Sequence, residues 1–521
     1  MACAHSPRTA ADTSQGSRVA APGPAATEYS TAVPSGSAYL DDDARDIERA
    51  ISDAAARAHA TLIGDPRLMT LASWVAEHLS PDGTLPMQAA LDRVARHLGL
   101  AEPTPHVVVI ASDDRSDVAV RLADDIVSLL GEHDYSHYGG ATIERDGLSV
   151  YVIALSFRFI ELDAVARSFA SGSSFTIRGR LTHGFSAPEL ALTRPDGQVV
   201  RGADNAKSGS EFEFRVQADR DGEYRVEILG ESALGITVVA NFPVYVGQTA
   251  DDAIELGAVE PLVTDPAEAS AILLDMLNRE RRKVGVPELT PDPQLAAIAS
   301  AHNDDMLAHG FVGHTSKTTG TAGDRVVHAG IRTSLVLENI GRGYSLHEVH
   351  AGLMESPGHR GNLLHPQATH VGIAVSVRAE EGHHTYLVTE LFIRVTPKLD
   401  AHAATTLLSR INRARVDARR HQLRSDPGLE RVAARAAGVC FTGSGPNESA
   451  VMERVRAGLA GIGTGKVPVS ALLSMTSSVE EIATIAALLE PNVSSIGIGL
   501  AQGERADTPP NTLCAVLLLA Q

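Results

Sequence analysis

Three short segments in the middle of the chain carry histidine and glutamate side chains suited to ligand binding or proton transfer. The segments are GFVGHTS at 310–316, LENIGRG at 337–343 and SPGHRGNLLHP at 356–366. Two neutral imidazoles and one carboxylate, from His314, His359 and Glu338, would leave an open position on a divalent metal, and zinc suits this set better than calcium does. The alternative is a hydrogen-bonded network in which the same three residues order the surrounding loops.

Amide and guanidinium side chains accompany these residues. Asn339, Arg360 and Asn362 are predicted to have structural roles, because each can satisfy several loop carbonyls. The nearby HEVH at 347–350 fails the spacing of a metalloprotease helix, which needs its second histidine four residues after the first. The sequence shows no Gly-x-Ser-x-Gly elbow, phosphate-binding loop or dinucleotide fingerprint. A nucleophilic enzyme is therefore not indicated.

The helices and strands that position these segments belong to a chain that is too long for a single hydrophobic core. The 521 residues suggest about three or four domains. A formal net charge of -19 disfavours binding to nucleic acid, because the protein's field repels phosphate backbones. No apolar run reaches the roughly 18 residues of a membrane span. These properties predict a soluble, globular body with no nucleic-acid partner.

One phrase recurs three times: DPRLMTLA at 65–72, DPQLAAIA at 292–299 and DPGLERVA at 426–433. Asn278-Arg279 precedes the second copy by the interval that separates Asn412-Arg413 from the third, which predicts domain duplication. The repeats exceed about 100 residues, so they are whole domains and not solenoid units. In the second copy, Asp292 is expected to cap a helix whose first turn takes the following proline. Amphipathic helices followed by strands predict an α+β class.

Alternation with a period of two dominates between copies one and two. Phe175, Ile177 and Leu181 alternate with polar residues, and turn signals such as RPDGQ at 194–198 separate such runs. The pattern predicts a small β-sandwich of the immunoglobulin-like kind. The predicted domains are a disordered tether at 1–38, a degenerate copy at 39–165, the β-sandwich at 168–248, the complete copy at 262–398 and a second degenerate copy at 401–521.

The three segments, in this order between NRER and HVGIAV, resemble the CAP superfamily in its bacterial SCP-like form. That superfamily includes cysteine-rich secretory, antigen 5 and plant pathogenesis-related proteins, and the clear match covers residues 266–396. The resemblance implies an α-β-α sandwich, a generally extracytoplasmic location and a cleft lined by two histidines and acidic residues. By motif, His314, Glu338 and His359 occupy those places. The flanking copies lack these signatures and are expected to be degenerate domains that form interfaces.

The sequence departs from this family at the fourth cleft residue. Animal and plant members supply a second glutamate from a helix that bears a tryptophan, whereas Leu353 stands at that place here. Glu348 and Glu355 are both available on the same helix, seven residues apart on one face. The sequence does not choose between them.

The cysteines and the N-terminus bear on location. Three cysteines exclude a disulfide framework, and Cys440 and Cys514 are expected to be buried free thiols, with a bridge between them as the alternative. Cys3 opens a tract rich in Ser, Ala and Pro that cannot fold on its own. Its Ala-Cys start resembles the mature end of a bacterial lipoprotein, although no charged or apolar signal region precedes it. An anchored Cys3 and a plain flexible tail both stay open.

These features favour an extracytoplasmic, non-enzymatic protein that binds a metal, zinc above all, or a small ligand in the middle domain. Its partners would be a small ligand, a lipid or a protein of the cell envelope. One alternative is a metal-dependent hydrolase, peptidase-like or esterase-like, in which metal on His314 and His359 activates water and Glu338 is ligand or base. Another is lipid or sterol binding, which related proteins perform but for which no sequence feature identifies a groove.

Overall fold

The computed structural model describes the chain with the exception of several segments. The described residues are 18–34, 42–80, 85–112, 115–132, 134–202, 205–233, 235–250, 253–256, 262–380, 383–442, 447–462, 468–505 and 507–521. Cys3, the predicted lipidation site, lies outside them. The chain divides into two compact units, one of residues 1–325, 337–366 and 371–391, the other of residues 326–336, 367–370 and 392–521.

Residues 18–34 form ordered structure within the segment that was predicted to be a disordered tether. Its strands are β1 (Arg18–Ala20) and β2 (Glu28–Tyr29), which pair with residues Ala253–Glu255 and Val165–Ala166. Tyr29 is fully buried against Phe242. Arginine side chains also hold this segment, since Arg67 donates to the Ser30 carbonyl at 2.7 Å and Arg158 to that of Thr31 at 3.0 Å. The prediction of disorder rested on composition. Composition does not show that one tyrosine is buried, or that distant arginines bind the backbone carbonyls of this segment.

The first region combines helices with a four-stranded sheet. Its helices are α1 (Asp42–Arg57), α2 (Pro66–His78), α3 (Gln88–His97) and α4 (Arg115–Glu132). Its strands are β3 (Ile63–Gly64), β4 (His106–Ser112), β5 (His137–Arg145) and β6 (Leu148–Ser156), in the order β3-β5-β6-β4. Apolar residues of α2 and α3 pack on one face of β6, and those of α1 and α4 on the other. The sheet therefore lies between two helical layers.

Residues 160–246 form two sheets that share one core, here termed the two-sheet region. The first sheet contains β7 (Ile160–Leu162), β10 (Ser174–Leu181), β13 (Asn205–Ser208) and β14 (Glu211–Gln217). The second contains β9 (Ser168–Phe169), β11 (Ser186–Thr193), β12 (Val199–Arg201), β15 (Gly222–Ser232) and β16 (Gly235–Val246). The short strands β8 (Val165–Ala166) and β17 (Ala253–Glu255) hold the N-terminal segment. Phe175, Ile177 and Leu181, which alternate in the sequence, are all buried in this core.

The middle region, residues 266–393, holds the candidate site. Its helices are α5 (Pro266–Lys283), α6 (Pro293–His309), α7 (Ala322–His328), α8 (Leu346–Glu355) and α9 (Pro357–Leu363). Its strands are β18 (Thr290–Pro291), β19 (Val336–Gly343), β20 (His370–Glu380) and β21 (His383–Ile393), in the order β18-β20-β21-β19. The predicted cap of α6 is confirmed, because the Asp292 carboxylate accepts from the amides of Gln294 and Leu295. Gly310 ends this helix in the left-handed conformation, which glycine adopts without strain.

The C-terminal region repeats this arrangement. Its helices are α10 (Ala403–Asp417), α11 (Pro427–Ala437), α12 (Glu448–Gly461), α13 (Val479–Ala483) and a 3₁₀ turn at Ala486–Leu489. Its strands are β22 (Arg424–Ser425), β23 (Val469–Thr476), β24 (Ser495–Gly503) and β25 (Thr512–Ala520), in the order β22-β24-β25-β23. The expectation of free thiols is wrong, since Cys440 and Cys514 form a disulfide. The fold brings the end of α11 beside β25 with 6.4 Å between the two Cα atoms, a proximity that the sequence did not reveal.

The middle and C-terminal regions, which carry two of the repeated phrases, also share a set of polar contacts. Asn278 exchanges two hydrogen bonds with the backbone of Leu289, and Asn412 does the same with Leu423. The fully buried Arg281 and Arg415 follow three residues after each asparagine and donate to loop carbonyls. The three four-stranded sheets of the first, middle and C-terminal regions have the same strand order.

Candidate functional site

Three different elements bring the predicted site residues together. His314 lies in the loop after α6, Glu338 on β19 and His359 on the short helix α9. The Nδ1 of His314 donates to Oε1 of Glu338 at 2.9 Å. The rings of His314 and His359 lie with their centroids 6.5 Å apart. The three side chains therefore form one cluster, as their motifs suggested.

Glu338 is held as a carboxylate by a cation that the sequence analysis did not identify. The Arg325 guanidinium, on α7, donates to Oε2 of Glu338 at 2.5 Å and to the Gly320 carbonyl at 2.8 Å. Burial opposes ionisation of Glu338, which is 8% exposed, but the hydrogen bond from His314 and the charge of Arg325 outweigh it and lower its pKa. The residue is therefore ionised at neutral pH. No motif marks Arg325, which is one of two arginines between the motif segments at 310–316 and 337–343.

Both histidines of the cluster are half-buried, and burial determines the protonation of His359. The side chain of His314 is 31% exposed. Burial lowers the pKa of His359 to about 3, and the neighbouring Arg201 guanidinium adds to this effect. His359 is therefore a neutral imidazole in the physiological range. A third histidine, His302, donates from Nε2 to the Gly313 carbonyl at 3.0 Å and so supports the loop of His314.

A chain of amides lies under the cluster. Asn339 donates to the His359 carbonyl at 3.3 Å and to Oε2 of Glu390 at 3.2 Å. Asn362 donates to the Glu338 carbonyl at 3.1 Å and to Oδ1 of Asn339 at 3.0 Å. These bonds join α9 to β19, which is the structural role expected of the two asparagines. Arg360 instead donates at 3.4 Å to the carbonyl of Gly197 in the two-sheet region.

Glu390 is a buried carboxyl that sequence reasoning missed. It lies on β21 with no exposed surface, and its Oε1 has no hydrogen-bond partner among the described residues. Burial raises its pKa to about 7, against the weaker effect of the hydrogen bond from Asn339. A glutamate within an apolar strand was the available signal.

Neither candidate for the fourth cleft residue joins the cluster. The carboxylate of Glu348 completes a capping box on α8, where it accepts from the Ser345 amide at 3.2 Å, and its other oxygen accepts from the Gln88 amide of α3 at 2.7 Å. Glu355 forms an ion pair with Arg225 of the two-sheet region at 3.3 Å. Both acids therefore serve contacts with neighbouring regions.

The donor set does not fit the predicted zinc centre. Both oxygens of Glu338 are engaged, one by His314 and the other by Arg325. A guanidinium at hydrogen-bond distance from the carboxylate opposes a divalent cation at the same group. Across the part of the chain that the structure describes, no group of three histidine, cysteine or acidic side chains is placed to hold a metal.

The family model of CAP, the cysteine-rich secretory protein family, matches residues 274–391. This segment is a CAP domain. It contains α6, β19, α8 and α9 and thus every residue of the cluster. The resemblance deduced from the three motif segments is confirmed for the middle region.

Two relatives and one solved structure show how far the likeness extends. The chain is 35% identical over 112 residues to the uncharacterized protein YkwD of Bacillus subtilis strain 168, which covers 21% of this chain and 44% of the relative. It is 33% identical over 104 residues to the uncharacterized membrane protein YlbC of the same organism, which covers 20% of this chain and 30% of the relative. A crystal structure of an extracellular protein containing an SCP domain from Bacillus anthracis is 23% identical, with a TM-score of 0.22 over 37% of this chain and 66% of that one. The chain thus spans less than half the length of the two curated relatives.

None of the helices in the described ranges has the length and apolar character needed to cross a membrane.

Proposed function

We propose that the CAP domain is a non-enzymatic binding module for a small polar ligand or an exposed peptide group, and that His314 is its principal contact. One observation carries this proposal. Arg325 fixes Glu338, and Glu338 fixes Nδ1 of His314 at 2.9 Å, while the imidazole keeps 31% of its surface exposed. A ring held in one tautomer presents Nε2 as a single acceptor at fixed orientation, so little entropy is lost when a ligand binds.

The environments of Glu338 and His359 argue against either residue as the base of a hydrolase. A carboxylate paired with Arg325 is a weak base, because its proton affinity is reduced, and the low pKa of His359 makes that imidazole a weak base as well. The metal that would activate water in the alternative mechanism lacks a suitable donor set, since Glu338 is already shared between His314 and Arg325. Binding without turnover is therefore the better supported function.

The whole protein is proposed to act outside the cytoplasm. The Cys440–Cys514 disulfide supports this location, because such bonds persist in oxidising compartments. The shared strand order and the matching Asn278 and Asn412 contacts support the view that the first and C-terminal regions are degenerate copies of the CAP fold that serve as interfaces. The two-sheet region would be an immunoglobulin-like spacer, and a lipid on Cys3 would tether the protein to the envelope.

The binding proposal is tested by ligand-observed NMR with a library of polar fragments and the full chain. Fragments that bind the wild type are expected to lose at least about tenfold in affinity to His314→Ala, since one buried hydrogen bond to a ligand contributes about 1–2 kcal/mol. The control is His309→Ala, because His309 is an exposed histidine at the end of α6. Fragments that bind both variants alike, or no binding fragments at all, would contradict the proposal. Retention of a co-purified lipid by the wild type and by His314→Ala would favour the lipid-binding alternative.

A further inference from the structure

The two-sheet region contacts the CAP domain beside His359 through a buried glutamate side chain. Glu227 of β15 has no exposed surface and accepts from Oγ of Ser356 at 2.5 Å and from the amide of Gly358 at 2.7 Å. Arg201 of β12 donates to the Gly358 carbonyl at 3.0 Å. Both backbone polar groups of the residue before His359 are thus bound by side chains of another region.

This contact between the two-sheet region and the CAP domain is specific in its hydrogen bonds and in its steric requirements. Burial raises the pKa of Glu227, and the hydrogen bonds from the Ser356 hydroxyl and the Gly358 amide, with the charge of Arg201, oppose this effect and compensate part of the lost hydration. The contact also requires glycine at 358, because a Cβ there would lie 2.8 Å from Oε2 of Glu227. Gly361, on the same helix, carries no such restriction, since its Cβ would meet nothing closer than 3.7 Å.

A second contact lies at the other histidine. Gly235, at the start of β16, approaches the segment of His314 so closely that a Cβ on it would lie 3.0 Å from Oγ1 of Thr315 and 3.4 Å from Cβ of His314. The two-sheet region therefore touches both histidine-bearing segments. The Arg225–Glu355 ion pair adds a third point of attachment at the end of α8.

We propose that the two-sheet region is a cover for the CAP cleft, latched by Glu227, which restricts access to His359 and leaves His314 accessible. The proposal rests on the cleft being the binding site inferred above and assigns its regulation. A ligand that contacts His314 alone can bind with the cover closed. A larger ligand that reaches both imidazoles must break the Glu227 contacts, so it has to offset their free energy from its own contacts.

The test is the reactivity of individual histidines of the full chain toward diethyl pyrocarbonate, followed by peptide mass spectrometry. Glu227→Ala removes the side chain that accepts the two hydrogen bonds from the CAP domain. Gly358→Ala leaves that side chain in place but displaces it, because the new Cβ would lie too close to it. Each is expected to increase the modification rate of His359 about tenfold, because two buried hydrogen bonds no longer hold the cover. The rate at His314 is expected to stay within about twofold, since that ring is accessible already.

Two control variants separate opening from damage to the fold. Gly361→Ala makes the same chemical change on α9 without meeting the latch and is expected to leave His359 at the wild-type rate. Glu227→Gln keeps one acceptor oxygen in place and is expected to restore most of the protection. Should Glu227→Ala raise the reactivity of every histidine, the variant is unfolded and Gly358→Ala decides.

An unchanged rate at His359 in Gly358→Ala and in a folded Glu227→Ala would overturn the cover. The assay requires no ligand, so its failure leaves the binding proposal intact. Conversely, a fragment library that finds no ligand leaves the measured accessibility of His359 intact.

Discussion

Replacing Arg325 with glutamine is expected to destabilise the CAP domain by about 3–5 kcal/mol, because it leaves a buried carboxylate without its cation. Arg325 donates to Glu338 at 2.5 Å, and both side chains are almost completely buried. The substitution also removes one of the donors to the Gly320 carbonyl, which still accepts from the Ser316 amide. The measurement is pulse proteolysis in urea, with peptides from residues 274–391 reporting the unfolding of this domain.

Two further variants identify the cause of the effect. Arg279→Gln is the control, since its ion pair with Asp275 is exposed to solvent and is expected to contribute less than about 1 kcal/mol. The double variant Arg325→Gln, Glu338→Gln is expected to recover a large part of the loss, because no charge is then buried. A loss below about 1 kcal/mol in Arg325→Gln, or no recovery in the double variant, would show that the pair does not organise the site.

Replacing Glu390 with glutamine is expected to stabilise the CAP domain in a manner that grows with pH. Burial raises the pKa of Glu390 from an ordinary value of 4.5 to about 7. Between these two values the folded chain retains a proton that the unfolded chain has lost. Folding stability therefore falls as the pH rises through this window, at up to about 1.4 kcal/mol per pH unit. Glutamine does not titrate and escapes this loss.

The predicted difference between Glu390→Gln and the wild type is close to zero near pH 4 and about 3 kcal/mol in favour of glutamine at pH 8. Above pH 7 both states of the wild type are ionised, so the difference reaches a plateau. Pulse proteolysis in urea across this range measures it, with Asp304→Asn, an exposed carboxylate on α6, as control. A difference that stays constant with pH would contradict the raised pKa. It would mean that Glu390 is already ionised in the folded protein, or that water reaches its side chain when the domain opens locally.

The parts of the site that the sequence predicted are those carried by contiguous motifs. His314, Glu338 and His359 each stand in a distinctive segment, and the turn and cap residues around them, such as Asp292, act through neighbours a few residues away. Asn339 and Asn362 stand in the same segments, although their hydrogen bonds join residues at least 20 positions apart. Such local patterns survive in a single sequence because the residues that define them lie within one helix or turn.

Several contacts that sequence reasoning missed join residues far apart in the chain. Glu227 reaches Ser356 across 129 positions, and Gln88 reaches Glu348 across 260. The engagement of Glu348 and Glu355 by neighbouring regions left the cluster without a fourth acid, and this could not be read from their spacing. The prediction that residues 30 and 31 lie in a disordered tether was wrong for the same reason, since the arginines that bind these residues lie far along the chain. Composition and periodicity report what a segment can do alone, not which partner it meets.

Zinc content tests most directly whether the cleft is organised by the Arg325–Glu338–His314 contacts. The full chain and the double variant His314→Ala, His359→Ala are equilibrated with zinc, dialysed and analysed for bound metal, with circular dichroism confirming that both are folded. The same amount of zinc is expected in the two proteins, because Glu338 is already engaged on both oxygens. One equivalent of zinc bound by the wild type and lost from the variant would contradict the account and restore the zinc site predicted from the sequence.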